Sequence, residues 1–213
     1  MNATNTKNVI LGITILLLIL HGSITQAENQ QTNTTQNLFT DWQTSDYILK
    51  SFEEIALKNE YRKTKKRILK WQEPIRYQFH YKTLKPNLLI ENLFITHLKH
   101  LSEITDLDIQ ASNKHPANLN IYLTLDKNYA NVIHKYTGSK IHNIERDSHC
   151  MGSFKTNQKN EIKQASIVLP VDHVYSRGLL VSCIVEETTQ VLGLPNDASW
   201  VNPSIANDDS KIE

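Results

Sequence analysis

The segment SRGLLVSCIVEETTQVLGLPND, residues 176–197, predicts a helix whose two ends are marked in the sequence. Ser176 is a residue type that caps the free N–H groups of a first helical turn. Gly193 is typical of a helix end, and Pro195 prevents the helix from resuming. The pattern therefore predicts a helix interior from Arg177 to Leu192.

Apolar residues nearly surround the axis of this helix. At 3.6 residues per turn they form two faces, one made of Leu180, Ile184 and Val191 and the other of Val181, Val185 and Leu192. Such a helix is expected to be buried. Glu187 falls inside the first apolar stripe, between Leu180 and Val191.

Three long polar side chains, Glu186, Glu187 and Gln190, occupy the second half of the helix. A buried carboxylate without partners costs several kcal/mol, so it requires a charge partner, backbone donors, a metal or a water-filled cleft. This polar arc is the candidate site. The alternative is that both carboxylates accept hydrogen bonds from a neighbouring loop and only stabilise the fold.

The first 27 residues have the pattern of a secretory signal peptide. Lys7 precedes the apolar run Val9–Leu20, and small residues leading to Ala27 suit a signal peptidase. The run is short for a transmembrane helix, although an uncleaved signal anchor is the alternative. Cleavage after Ala27 predicts an exported protein, periplasmic or extracellular, with no stable membrane span.

The remaining chain of about 185 residues is long enough for one domain with a full core. Residues 28–40 are rich in Gln, Asn and Thr and predict a flexible leader. A single domain is expected over residues 41–205, followed by an acidic tail, residues 206–213. The formal net charge of +1 gives no field that would favour nucleic acid.

Cys150 and Cys183 are the two cysteines of the chain. In an oxidising compartment they predict one disulfide, which would close a loop of about 33 residues and contribute roughly 3–4 kcal/mol on the chain-entropy model. The alternative is two free thiols or a catalytic cysteine. Cys183 is expected on the inward side of the helix, and no cation that would stabilise a thiolate is near it in the sequence.

The rest of the chain predicts alternating helices and strands. They are a helix from Ser45 or Asp46 to Tyr61, a strand at Ile75–Tyr81, a helix at Asn87–Leu101, a strand at Leu119–Leu125, a helix at Lys127–Thr137 and a hairpin between Cys150 and Leu169. In the second helix, Leu89, Leu93, Phe94 and Leu98 are expected to face the core. This order predicts an α+β fold with a mixed sheet packed against helices.

Two further patterns have a functional and a structural interpretation. The basic run Arg62–Arg67 could meet phosphate or a lipid surface, but cations at a helix C-terminus favour a solvated face. His97 and His100 lie one turn apart and could share a metal, but no third ligand is present in their helix. An exposed histidine pair is the favoured interpretation.

Two motifs of the chain resemble those of domain-of-unknown-function family 2927, a family of exported bacterial proteins. The helix motif is C-x-x-E-E-x-x-Q-x-L-G-L-x-N-D at residues 183–197, and the strand motif is W-x-x-P-I-R-Y at residues 71–77. Cys150 would match the upstream cysteine of the family. The resemblance implies a further helical segment after Asp197, which this chain is expected to lack.

The same helix is similar to the zinc-binding H-E-x-x-H helix of zincin metallopeptidases. Glu187 takes the general-base position, whereas Glu186 and Gln190 stand where the two histidines would be. A neutral amide oxygen suits calcium, magnesium or manganese better than zinc. A zinc site would need nitrogen ligands from elsewhere, such as His149 or His173. The resemblance implies a zincin-like fold with an altered site.

Two functional hypotheses follow. In the first, an exported envelope protein carries a metallopeptidase-like domain with altered or lost hydrolase activity, in which Glu187 is the general base and Glu186, Gln190 and Asp197 hold a divalent metal ion or orient water. In the second, the domain is a binding or assembly module with structural carboxylates. A peptide or a cell-wall component is the expected partner in either case.

Overall fold

The computed structural model describes residues 41–60, 63–113, 115–139, 143, 146 and 148–207. The predicted signal peptide, the predicted leader and residues 208–213 of the predicted tail lie outside the described residues. The chain divides into two units, Met1–Leu49 and Lys50–Glu213. In the first unit, a 3-10 turn at Asp41–Gln43 precedes the start of helix α1.

Six strands in the described residues form one mixed sheet. They are β1 (Lys70–Trp71), β2 (Ile75–Tyr81), β3 (Ile109–Ala111), β4 (Leu119–Thr124), β5 (Met151–Thr156) and β6 (Glu161–Pro170). The order is β1-β6-β4-β2-β3, and every pair along this path is parallel. β5 pairs antiparallel with β6.

The centre of the sheet is formed by β4 and β6, where Ile121 is in register with Ile167. Residues 165–170 of β6 are all buried, because a central parallel strand is covered on both faces. Their sequence, ASIVLP, is accordingly apolar almost throughout rather than alternating.

The α-helices whose bounds lie within the described residues are numbered α1 to α5, and α2 to α5 contact strands of the sheet. They are α1 (Ser45–Leu57), α2 (Leu88–Thr105), α3 (Tyr129–Tyr136), α4 (Val171–Ser176) and α5 (Leu180–Gln190). Asn87 caps α2 by accepting hydrogen bonds from the N–H groups of Leu89 and Ile90. The helix ends at Thr105, and the next residue, Asp106, has a left-handed φ of 57°.

Helices cover both faces of the sheet. α2 and α5 contribute Phe94, Leu98 and Ile184 to the larger core cluster. On the opposite face, Tyr129 and Ile133 of α3 belong to a smaller cluster. The expected mixed sheet with packed helices is confirmed, and because its pairs are mostly parallel the arrangement is closer to α/β than to the predicted α+β.

The predicted start of the carboxylate helix at Ser176 is wrong. Ser176 ends α4, and Gly178, with a φ of +70°, separates it from α5. The turn is closed by a 2.8 Å hydrogen bond from the Leu179 N–H to the carbonyl of Val174. Since glycine adopts a positive φ at little cost, Gly178 terminates one helix before the next begins.

Two predictions of burial are also wrong. Val181 is 55% exposed and Leu89 is 58% exposed, so α5 is not apolar all round and α2 begins with an exposed leucine. Helix α1 ends at Leu57 rather than continuing towards Tyr61, which lies outside the described residues.

Candidate functional site

Helix α5 is fixed to the sheet near both of its ends. Near its start, Cys183 forms a disulfide with Cys150, as predicted, with an S–S distance of 2.00 Å. At its end, the Trp71 indole N–H donates a 2.9 Å hydrogen bond to the carbonyl of Val191 in a buried position. Because α5 is held at two points, the polar residues between those points keep fixed positions.

Gly193 ends the helical region, as predicted, with a φ of +125°. A Cβ at this position would lie 2.1 Å from the carbonyl oxygen of Leu69. The glycine is therefore required for the close approach of two backbones as well as for its positive φ.

Glu187 is the buried carboxyl group of the site, with only 4% of the residue exposed. The backbone N–H of Gly152, in β5, donates a hydrogen bond to this carboxyl. A Cβ on residue 152 would lie 2.6 Å from Oε2 of Glu187 and 3.0 Å from Cγ1 of Val191. Only glycine at residue 152 therefore lets the strand and the carboxyl meet in this way.

Burial raises the pKa of Glu187 well above its ordinary value, and the negative charges of Glu186, Glu60 and Asp197 raise it further. The Gly152 N–H opposes this shift but is the smallest contribution. Oε2 has no hydrogen-bond partner among the described residues. This environment favours the protonated form of the carboxyl, which does not accept a proton as a general base would.

The structure brings together two of the three residues predicted to hold a metal. The Gln190 side-chain amide donates a 2.7 Å hydrogen bond to Oδ1 of Asp197. The backbone carbonyl of Asp197 accepts a 2.8 Å bond from the Asn196 side chain, which fixes the segment after the helix. Glu186 is half-buried on the same helix. Their role as metal ligands stays a prediction.

No group of three or more His, Cys, Asp or Glu side chains in the described part of the chain is arranged to hold a metal ion. His97 is half-buried, and its Nε2 lies 3.3 Å from Oγ1 of Thr189 on α5. Burial lowers the pKa of His97. His100 is exposed, so the predicted exposed pair has one member that packs against the carboxylate helix.

His149 and His173, which the sequence analysis named as possible nitrogen ligands, lie side by side. Nδ1 of His149 is 2.8 Å from Nε2 of His173. They are 24 residues apart in the sequence, so no local spacing pattern could have paired them. Gly152 was also missed, and its only signal is its position two residues after Cys150.

A groove of about 560 Å³ lies beside β5 and the end of α5. One wall is formed by residues 152–154 of β5 and another by the chain after α1, including Lys58, Lys65 and Arg67. Gln190 and Val191 also line it. Part of the basic run that was expected to be a solvated face therefore faces a groove.

These features define a mixed α/β protein with a parallel sheet packed between helices and a buried acid on its last described helix. The chain belongs to the family described as Protein of unknown function (DUF2927), whose model matches residues 45–213. No curated protein matches the chain. Among the described residues, no helix has the length and apolar content needed to cross a membrane.

Proposed function

We propose that the protein is an exported, non-catalytic binding module with a metallopeptidase-like, zincin-like domain that holds an extended peptide in the groove beside β5. The observation that carries this proposal is the state of Glu187. Its carboxyl is buried and bonded to the Gly152 N–H, and burial raises its pKa, so its surroundings favour the protonated form. A carboxyl in the general-base position whose surroundings disfavour the charged, proton-accepting form supports a structural role.

The disulfide between Cys150 and Cys183 supports export, because such bonds persist in oxidising compartments. The signal-peptide pattern of the first 27 residues points the same way. A periplasmic or extracellular location is therefore part of the proposal.

The groove supports a peptide as the ligand. β5 pairs with β6 alone among the described strands, so its other edge has backbone groups available to an added strand. At residue 152 the Glu187 carboxyl uses the N–H group, whereas Ser153 and Phe154 line the groove next to it. Backbone pairing of this kind gives affinity for an extended chain without requiring catalysis.

The charges of the groove favour an acidic peptide. Lys58, Lys65 and Arg67 line it together with one acidic residue, Glu60. Lys58 is paired with Glu54 at 2.6 Å, and no ion pair of Lys65 or Arg67 is formed among the described residues. Two cations that face a groove attract a negatively charged ligand, and this attraction weakens as salt is added.

The test is titration of the untagged protein with a pool of random acidic decapeptides, followed by amide NMR. We expect the largest shifts at the β5 residues Ser153–Thr156. We also expect affinity to fall at least tenfold in Lys65→Glu/Arg67→Glu. The matched control, Lys63→Glu/Lys85→Glu, changes the same charge at exposed positions outside the groove and should bind within about twofold of wild type.

The hydrolase alternative is tested in the same samples by mass spectrometry of the peptide pool. Intact peptides after prolonged incubation support a binding module. Cleavage that Glu187→Gln abolishes, and that Glu103→Gln on α2 leaves unchanged, would overturn it and make Glu187 a catalytic residue. Binding of cell-wall fragments with no binding of peptides would also overturn the proposed ligand.

A further inference from the structure

The contact between His149 and His173 has a geometry that a metal ion can use. The two ring nitrogens are 2.8 Å apart, the ring centroids are 5.1 Å apart and the planes differ by 30°. The nitrogens therefore face each other across a short gap. One nitrogen must donate and the other accept, so the pair shares a single proton.

Both histidines stand on restrained backbone. His149 directly precedes Cys150, whose disulfide holds it to α5. The carbonyl of His173 accepts a 3.2 Å hydrogen bond from the Arg177 N–H and a 2.9 Å bond from the Ser176 hydroxyl. Both imidazoles are half-buried, so ring rotation is the main freedom that remains.

A carboxylate lies behind one of the rings. Oδ1 of Asp126 is 3.7 Å from Nδ1 of His173, the nitrogen that faces away from His149. The backbone N–H of Asp126 donates a 2.8 Å hydrogen bond to Oδ1 of Asp172, next to His173 in the chain. Metal-binding histidines commonly present their second nitrogen to a carboxylate, which orients the ring and raises its basicity.

We propose that His149 and His173 form a binding site for a borderline transition-metal ion, Zn²⁺ or Cu²⁺, with Asp126 orienting His173 from behind. The ion would take the place of the shared proton. Imidazole nitrogen suits both ions. At a Zn–N distance of about 2.0–2.1 Å and a tetrahedral angle, the two nitrogens lie about 3.4 Å apart. Ring rotation must open the gap by only about half an ångström.

Two protein nitrogens leave the other coordination positions to water, so the site binds metal reversibly. It also does not depend on the proposed function, because neither histidine lines the groove. Loss of metal binding on substitution of His173 would leave peptide binding unchanged. Failure of peptide binding would likewise leave the metal site intact.

The first test is competition of the untagged protein with a chromophoric indicator for Zn²⁺ and Cu²⁺. We expect one equivalent to bind, and His149→Gln and His173→Gln each to weaken binding at least tenfold. His100→Gln, at an exposed histidine of α2, is the matched control and should stay within about twofold. Absence of saturable binding, or equal weakening in the control, would overturn the proposal.

The second test needs no substitution and therefore does not depend on how the variants fold. In long-range ¹H–¹⁵N spectra of the histidine rings, one equivalent of Zn²⁺ should shift Nδ1 of His149 and Nε2 of His173 selectively. Unchanged signals from these two rings, with shifts only at other histidines, would assign the metal to another place and overturn the site.

Discussion

Glu187 and Gln190 lie less than one helical turn apart on α5, yet their surroundings are opposite. Glu187 is buried against the backbone of Gly152, and its Oε2 has no hydrogen-bond partner among the described residues. Gln190 is half-buried, lines the groove and donates to Asp197. The comparison shows that one polar arc of a helix contains a buried carboxyl and a polar pair at the groove.

Removing the disulfide between Cys150 and Cys183 should have the largest effect on stability, and it tests the buried region around Glu187. With a separation of 33 residues, the Cys150→Ala/Cys183→Ala variant should lose about 3–4 kcal/mol of unfolding free energy on the chain-entropy model. Urea denaturation measures this loss. A difference below about 1 kcal/mol would mean that packing alone holds α5 against β5.

Gly152→Ala should have the next largest effect, because its Cβ would lie 2.6 Å from the Glu187 carboxyl. Overpacking of this kind costs about 1–3 kcal/mol. Urea denaturation should also show less destabilisation when Gly152→Ala is made in a Glu187→Ala background, since the clashing group is gone. Ser153→Ala is the neighbouring control. Additive losses in the double variant would contradict the contact.

The raised pKa of Glu187 predicts a specific dependence of stability on pH. Because its pKa is raised in the folded state, the folded protein holds a proton that the unfolded chain releases. This contribution is fully present below the unfolded pKa of about 4.3 and is lost as pH rises through the folded pKa. Thermal unfolding from pH 5 to 9 should show a decline in wild type that is smaller in Glu187→Gln.

Glu103→Gln, at an exposed carboxylate of α2, is the control for this experiment and should keep the wild-type decline. An identical pH profile for Glu187→Gln and wild type would mean that Glu187 is ionised in the folded protein. The surroundings of Glu187 would then resemble those of Gln190.

Gln190→Ala should have the smallest effect. It removes one half-buried hydrogen bond of 2.7 Å to Asp197, which is worth about 0.5–1.5 kcal/mol. Urea denaturation, with Gln72→Ala at an exposed position as control, measures the difference. A loss of unfolding free energy larger than that of Gly152→Ala would mean that the Gln190 region contributes more to stability than the Glu187 region.

Several elements could be predicted from sequence because their signals are local. The alternation in Ile75–Tyr81 predicted β2, and the residues between Cys150 and Leu169 predicted the β5–β6 hairpin. The break at Gly178 was missed, because a glycine before an apolar run can lie inside a helix or end one. Its positive φ is set by the bond between Leu179 and Val174 that closes the turn.

The sequence by itself determined the pairing of Cys150 with Cys183, since the chain has only two cysteines, and it determined that a carboxylate falls in the apolar stripe of a helix. Only the tertiary structure decided that this carboxyl meets the Gly152 N–H, and that His149 meets His173. The physical reason is range: helix and strand patterns report neighbours within a few residues. Burial and the partners of a buried group depend on segments that the fold brings together.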